Sequence, residues 1–118
     1  MAKDDLDVTT FLPADSAAAL AERLGAVRVP AAPSTAASLA AFAAALHFPD
    51  YFGGNLDALL DCLRDRPATA PPLWWCDVAR LRDADPSGYR AILRVFTDWQ
   101  AERPAAGRTE VYVSDTGT

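Results

Sequence analysis

The sequence predicts an α/β fold, in which helices cover a three-stranded parallel sheet and an extra helix precedes the first strand. Residues 73–76 form a continuous apolar run of strand-favouring residues, which is typical of a central strand buried on both faces. Two further strand candidates, residues 26–30 and 109–113, are separated from it by segments with helical periodicity. Strands that alternate with helices imply right-handed crossovers, and these produce a parallel sheet.

The first 25 residues are expected to form an extension, an arm followed by a short helix, that packs on a domain occupying residues 26–118. Residues 8–12 can form either a short strand or an extended arm. The helix has two candidate N-caps, two leucines on one face and a terminal glycine, namely Asp15, Ser16, Leu20, Leu24 and Gly25. The sequence does not indicate where this helix packs.

Three helices are predicted inside the domain. Their expected extents are from Ser34 or Thr35 up to Pro49, from Asn55 to about Arg64, and from Asp85 or Ser87 to about Glu102, with a helical turn at residues 78–83. The first is rich in alanine, the strongest helix former. The apolar side chains expected to face the core are Leu39, Phe42 and Leu46 on the first helix and Tyr89, Ile92, Leu93 and Phe96 on the last.

Length, hydrophobic content and net charge limit the classes of function that the chain can have. The 118 residues suffice for one domain, and 51% of them are hydrophobic, so the chain is globular rather than disordered. Sixteen acidic against eleven basic residues leave a net charge of −5, which argues against binding to nucleic-acid backbones. The same charge suits a basic protein partner, although it also simply favours solubility. No cofactor is indicated.

The cysteines and the N-terminus indicate a cytoplasmic protein. Cys62 and Cys76 have neither disulfide-framework nor zinc-site spacing, and their apolar surroundings favour structural burial. The N-terminus is acidic and has no apolar core of a signal peptide. No apolar run approaches the roughly 20 residues that a membrane-spanning helix needs.

The most informative segment is FPDYFGGNLDALLDCLRD, residues 48–65. Its turn consists of Tyr51, Gly53, Gly54 and Asn55, and Asn55 is a favoured N-cap residue. The following helix should place Leu56, Leu59 and Leu63 on one side, with Cys62 at the edge of that side. Asp57 and Asp61 fall one turn apart on the other side, with Leu60 on the border.

The two aspartates admit more than one explanation. Asp57 lies in the first helical turn, where a carboxylate stabilises the helix dipole. Asp61 has no such explanation, because like charges four residues apart destabilise a helix slightly. Without a third nearby ligand the pair is a poor metal site. A hydrolase that uses the two carboxylates and a surface for a basic partner both remain open from the residues alone.

The stretch PDYFGGNLDALLDCL resembles the signature segment of the barstar family, the intracellular inhibitors of barnase-type ribonucleases. About a dozen positions agree in register, and a weaker resemblance extends over residues 26–114 through a Leu/Trp strand and the helical stretch LRVFTDW. The first 25 residues are not covered. The resemblance implies a barstar-like fold and an inhibitor rather than an enzyme, monomeric when free.

The resemblance also implies a mechanism of occlusion. Asp57 would take the place of the substrate phosphate in the ribonuclease, and Asp61 would meet arginine, lysine and histidine side chains. Tyr51 would pack beside the catalytic histidine with Asn55 next to it, and Asp98 would add an acidic contact from the last helix. The predicted partner-binding residues are Tyr51, Gly53, Asn55, Asp57, Leu60, Asp61 and Asp98; no catalytic or metal-binding residue is predicted.

Departures from the family pattern fall on the predicted interface. Leu60 stands where the family has tryptophan, the loop RDRPATAPP is longer than expected, and Arg64 partly neutralises the acidic stripe. The expected partner is therefore a basic, secreted-type, guanyl-specific ribonuclease related to barnase, or a related toxin. The alternative is a barstar-fold interaction module or an immunity protein against a toxin that is not a ribonuclease.

Two other site types are disfavoured. A catalytic pair of Cys62 with His47 would need a polar cleft and an orienting third group, and the leucines around Cys62 supply neither. Trp74, Trp75 and Trp99 lack an adjacent basic patch, so core packing is expected for at least two of them rather than stacking on nucleic-acid bases.

Overall fold

A four-stranded parallel sheet forms the centre of the protein in the computed structural model, which describes residues 9–49, 53–67, 69–103 and 109–116. The strands are β1 (Thr9–Phe11), β2 (Val27–Pro30), β3 (Leu73–Cys76) and β4 (Val111–Val113), in the order β1-β4-β3-β2. The α/β class and the parallel sheet are confirmed. The fourth strand comes from the segment for which strand and arm were both possible, because β1 pairs with β4.

Within the described residues, five helices pack on the two faces of the sheet. They are α1 (Ala14–Leu24), α2 (Thr35–Leu46), α3 (Leu56–Arg64), α4 (Val78–Ala84) and α5 (Pro86–Ala101). Ser34, Asn55 and Asp85 each accept a backbone N–H bond at the start of α2, α3 and α5, as is typical of N-cap residues. Gly25 ends α1 in the left-handed conformation at φ 69°.

Helix α1 differs from its predicted arrangement. It begins at Ala14 after Pro13, so Asp15 lies inside the first turn and is not the N-cap. Its buried residues are Ala17 and Ala21, while Leu24 is 43% exposed. The small alanine side chains leave room for the bulky Trp74 and Tyr112 of the sheet, with which they share a core cluster.

The two faces of the sheet bury different side chains, because successive residues of a strand point to opposite faces. Trp74, Cys76 and Tyr112 belong to the smaller cluster with α1. Leu73 and Trp75 belong to the main core, which is built with α2, α3, α4 and α5. This double burial explains the continuous apolar run at residues 73–76. All three tryptophans are buried, so the expectation of core packing is confirmed.

Asp85 joins the start of α5 to the start of α2. Its carboxylate accepts bonds from the Gly88 backbone N–H at 3.1 Å and from the Thr35 hydroxyl at 2.7 Å. Gly88 leaves space for this contact, since a Cβ there would lie 1.8 Å from Thr35 Oγ1. The bond from Thr35, followed by that from Gly88, holds the pKa of Asp85 below its usual value.

Asp85 should therefore stabilise the fold in a pH-dependent way. A carboxyl whose pKa is lower in the folded state stabilises above its unfolded pKa, about 3.9, and this contribution disappears as the pH falls through the folded value. Asp85→Asn keeps an N-cap acceptor but does not titrate. Unfolding free energies from urea titrations at pH 7, 5, 4 and 3 should show the wild-type advantage over Asp85→Asn shrinking below about pH 4. An advantage that stays constant down to pH 3 would contradict this role.

The anchoring of α3 can be tested at Leu63, whose side chain is fully buried in the main core. Leu63→Ala should lower the free energy of unfolding by about 2–5 kcal/mol, because it removes buried methyl groups and leaves a cavity. Leu24→Ala, the same change at an exposed helical leucine, should cost under about 1 kcal/mol. Chemical denaturation of both variants measures the difference, and equal losses would show that α3 is not fixed through this face.

Candidate partner-binding surface

The turn before α3 sets the direction in which the helix begins. Gly54 has φ 71°, a left-handed conformation that glycine adopts without strain. Asn55 follows in an extended conformation, and its side-chain oxygen accepts the Ala58 backbone N–H at 2.8 Å. Gly53 and Asn55 are exposed. Tyr51, the aromatic residue predicted to contact the partner, lies outside the described residues.

One face of α3 is fixed in the core. Leu59 and Leu63 are fully buried, and Leu56 is half-buried against the same cluster. Neighbours from α5 in this cluster include Ile92, Val95, Phe96 and Trp99. The predicted division of the helix into a buried leucine face and an outward face is present.

Asp57 and Asp61, called here the acidic face, lie on the outward side of α3 and are exposed. Asp57 is the acidic residue of the first turn. The side chain of Asp61 is 70% exposed. Leu60 is half-buried and packs partly on the main core, so it borders the acidic face rather than standing out from it. This arrangement exposes two carboxylates on a helix whose opposite face is buried in the core.

A charged triad extends the acidic face toward α5. Arg64 Nη1 donates to Asp61 Oδ1 at 2.9 Å, and Arg64 also donates through Nε and Nη2 to the two carboxylate oxygens of Glu102 at 2.8 and 2.6 Å. The bond from Arg64 lowers the pKa of the Glu102 carboxyl. In turn, hydrogen bonds to Glu102 and Asp61 raise the pKa of Arg64. The sequence indicates a neutralising effect of Arg64, whereas the participation of Glu102 depends on the packing of α5 beside α3.

Arg103 makes a second connection between the ends of α3 and α5. Its guanidinium donates to the carbonyl oxygens of Arg64 and Arg66 and lies 5.5 Å from the centre of the Trp99 ring. Cations at a helix C-terminus compensate carbonyl groups that lack partners in the helix. The C-terminal end of α3 is therefore held by Glu102 and Arg103, the two residues that follow α5.

Asp98 lies on the exposed side of α5. It precedes Glu102 by four residues and so occupies the same helical stripe, about 6 Å along the axis. Because Glu102 contacts Arg64, this stripe adjoins the outward side of α3. The structure thus places four predicted residues, Asn55, Asp57, Leu60 and Asp61, on one helix and its cap, with Asp98 on the neighbouring helix.

Burial disfavours the ionised form of both cysteines. Burial raises the pKa of the Cys76 thiol to about 11. Burial, assisted by the carboxylates of Asp65 and Asp61, also raises the pKa of Cys62. Both shifts oppose formation of the nucleophilic thiolate at neutral pH. A shallow cavity of about 300 Å³ beside Cys62 is lined in part by Leu46, His47 and Pro67.

Within the ranges given above, no group of three or more histidine, cysteine, aspartate or glutamate side chains is placed to hold a metal ion. Over the same part of the chain, none of the helices has the length and apolar character needed to cross a bilayer.

A protein-family model matches most of the chain. The model of the family described as Barstar (barnase inhibitor) matches residues 23–114, which is well over half of the chain. The match begins in the last turn of α1 and includes the turn, α3, the charged triad and Asp98. The resemblance of the segment around α3 is thereby confirmed, and the chain belongs to the Barstar (barnase inhibitor) family.

Proposed function

We propose that this chain is a non-enzymatic inhibitor that binds a basic ribonuclease one-to-one and blocks its active site with α3 and the preceding turn. The observation that carries the proposal is the two-sided character of α3. Its leucine face is fixed in the core, while Asp57 and Asp61 are exposed on the outward side. Membership in the family of barnase inhibitors supports the choice of a ribonuclease as the partner.

The chemistry of the acidic face suits this role. Asp57 would occupy the position of the RNA phosphate, and Asp61 would pair with the cations that bind and cleave RNA. Hydrogen bonds between ionised groups are stronger than those between neutral groups, especially in a cleft from which water is excluded. Because the helix is already fixed before binding, little ordering of α3 opposes association. Asp98 would extend the contact from α5.

The biological setting is part of the same proposal. An inhibitor of a ribonuclease protects RNA only in the compartment where that RNA lies, so we place this chain in the cytoplasm as an antitoxin or immunity protein. In its free form it acts as a monomer, because one chain supplies the whole acidic face.

A second candidate is an immunity protein for a toxin that is not a ribonuclease, or a barstar-fold interaction module. Two features favour it. Arg64 already pairs with Asp61 at 2.9 Å, and Leu60 replaces a tryptophan of the family pattern beside the same carboxylate. Both features change the surface that a barnase-like partner would contact.

Removing the two charges of the acidic face should abolish tight inhibition. The wild type should inhibit at least one member of a panel of small guanyl-specific ribonucleases at a one-to-one ratio. The double variant Asp57→Asn, Asp61→Asn should inhibit at least about 100-fold more weakly, since each lost charge-assisted bond costs about 1.5–3 kcal/mol. RNA cleavage measured against inhibitor concentration provides the readout.

The matched control is Asp15→Asn, Asp83→Asn, which makes the same change in net charge at two exposed acids. Asp15, like Asp57, lies in the first turn of a helix. This variant should inhibit like the wild type. Similar losses in both double variants would assign the effect to net charge rather than to α3. Absence of inhibition across the panel would reject the ribonuclease partner and favour the second candidate.

Association should depend on ionic strength. Opposite charges on two proteins speed their encounter, and dissolved salt screens this attraction. The association rate constant with an inhibited ribonuclease should fall by about tenfold between 0.05 and 0.5 M salt. Stopped-flow fluorescence can follow the association, and Asp57→Asn, Asp61→Asn should show a shallower dependence. A rate that salt leaves unchanged would argue against a basic partner surface.

A further inference from the structure

Arg64 is a cation held within the proposed partner-binding surface. Its Nε and Nη2 groups donate to both oxygens of Glu102, and Nη1 donates to Asp61 Oδ1. A guanidinium that binds a carboxylate through two parallel bonds has a defined orientation as well as charge. The Arg64 side chain remains 45% exposed, so this oriented cation is accessible to a partner.

The position of Arg64 weakens the attraction of Asp61 for a cation of the partner. One oxygen of Asp61 already accepts a bond from Arg64. A partner cation that approaches Asp61 also approaches the guanidinium, and repulsion between the two cations offsets part of the attraction. The charged triad of Asp61, Arg64 and Glu102 presents one net negative charge, where the two acids alone would present two.

Arg64 is biased toward its place beside Asp61, because turning away loses its two bonds to Glu102 as well as the bond to Asp61. Glu102 directly follows α5, and Arg103 next to it is bound to the C-terminal end of α3. A partner therefore meets both signs of charge side by side. Charges that match one partner and repel another produce specificity rather than affinity alone.

We propose that Arg64 is a specificity-determining residue, selecting a ribonuclease that places a carboxylate opposite its guanidinium and disfavouring one whose cleft is basic throughout. The inference rests on the proposed function and specifies its partner. The target would carry an acidic residue beside the cations that meet Asp57 and Asp61. A purely structural role for Arg64, as a tie between α3 and α5, predicts a change in stability and no change in partner preference.

The test uses barnase as the probe, because the family resemblance implies that its cleft meets Asp61 with arginine, lysine and histidine side chains. Arg64→Met keeps an aliphatic side chain and removes the cation. Binding to barnase, measured by calorimetry or surface plasmon resonance, should become at least about tenfold tighter than with the wild type, and the gain should be larger at low salt. Circular dichroism and thermal unfolding check that the variant is folded.

The matched control is Arg23→Met, at an exposed arginine in the last turn of α1. It makes the same change in net charge on a helix that packs on the face of the sheet opposite to α3. Because this cation lies away from the acidic face and the charged triad, barnase affinity at 0.1 M salt should stay within about twofold of the wild type. An equal gain in both variants would attribute the effect to net charge and overturn the inference.

The remaining outcomes also decide. Barnase binding that is unchanged or weaker in Arg64→Met overturns the selective role. If the wild type shows no detectable affinity for barnase and the folded variant shows none either, the selective role is also overturned. Failure here is distinct from failure of the proposed function. Stoichiometric inhibition of any ribonuclease in the panel by the wild type upholds the function even when Arg64→Met brings no gain.

Discussion

The arrangement of the helices depends on the burial of Trp75 in the central strand β3. Its ring lies 5.7 Å from that of Phe42 on α2, and 5.8 and 5.6 Å from those of Tyr89 and Phe96 on α5. Strand neighbours on both sides fix the backbone of Trp75, so this contact positions α2 and α5 relative to the sheet. Helix α3 in turn packs on α5 through its leucine face. The acidic face, on the opposite side of α3, therefore points outward.

Different residues of α3 hold the helix in the core and face outward. Leu59 and Leu63 bind α3 to the core, whereas Asp57, Asp61 and Arg64 contribute little to that packing. Ion pairs between exposed groups add little stability, so the triad can change with only small effects on the fold. A family can therefore keep this architecture while its members exchange residues on the outward side for different partners.

Features encoded by neighbouring residues were predictable from sequence. The bounds of β3, the N-cap Asn55 and the leucine face of α3 all follow from local patterns, and for α2 and α5 the structure selects Ser34 and Asp85 from two candidates each. Features that join distant segments were not. Residues 9–11 suit a strand or an arm equally, and only pairing with β4, about 100 residues later, decides between them. The alanine face of α1 was missed because its partner, Trp74, lies on another element.

The same limit applies to the candidate surface. Asp57 and Asp61 could be located because helical spacing alone puts them on one side of α3, and Arg64 lies within the same helix. Glu102 gave no local signal, since 38 residues separate it from Arg64 and an exposed glutamate at a helix end is common. Only tertiary packing turns these residues into one connected group.

The charge balance explains why one arginine can tune this surface without reversing its sign. The five groups Asp57, Asp61, Asp98, Glu102 and Arg64 sum to a charge of −3, and the whole chain carries −5. The surface therefore still attracts a basic protein at long range, where only its summed charge acts. At contact distance the individual groups matter, and the two N–H groups that Arg64 does not use within the triad favour a partner that offers an acceptor. Attraction and selection thus act at different distances, and Arg64 affects mainly the second.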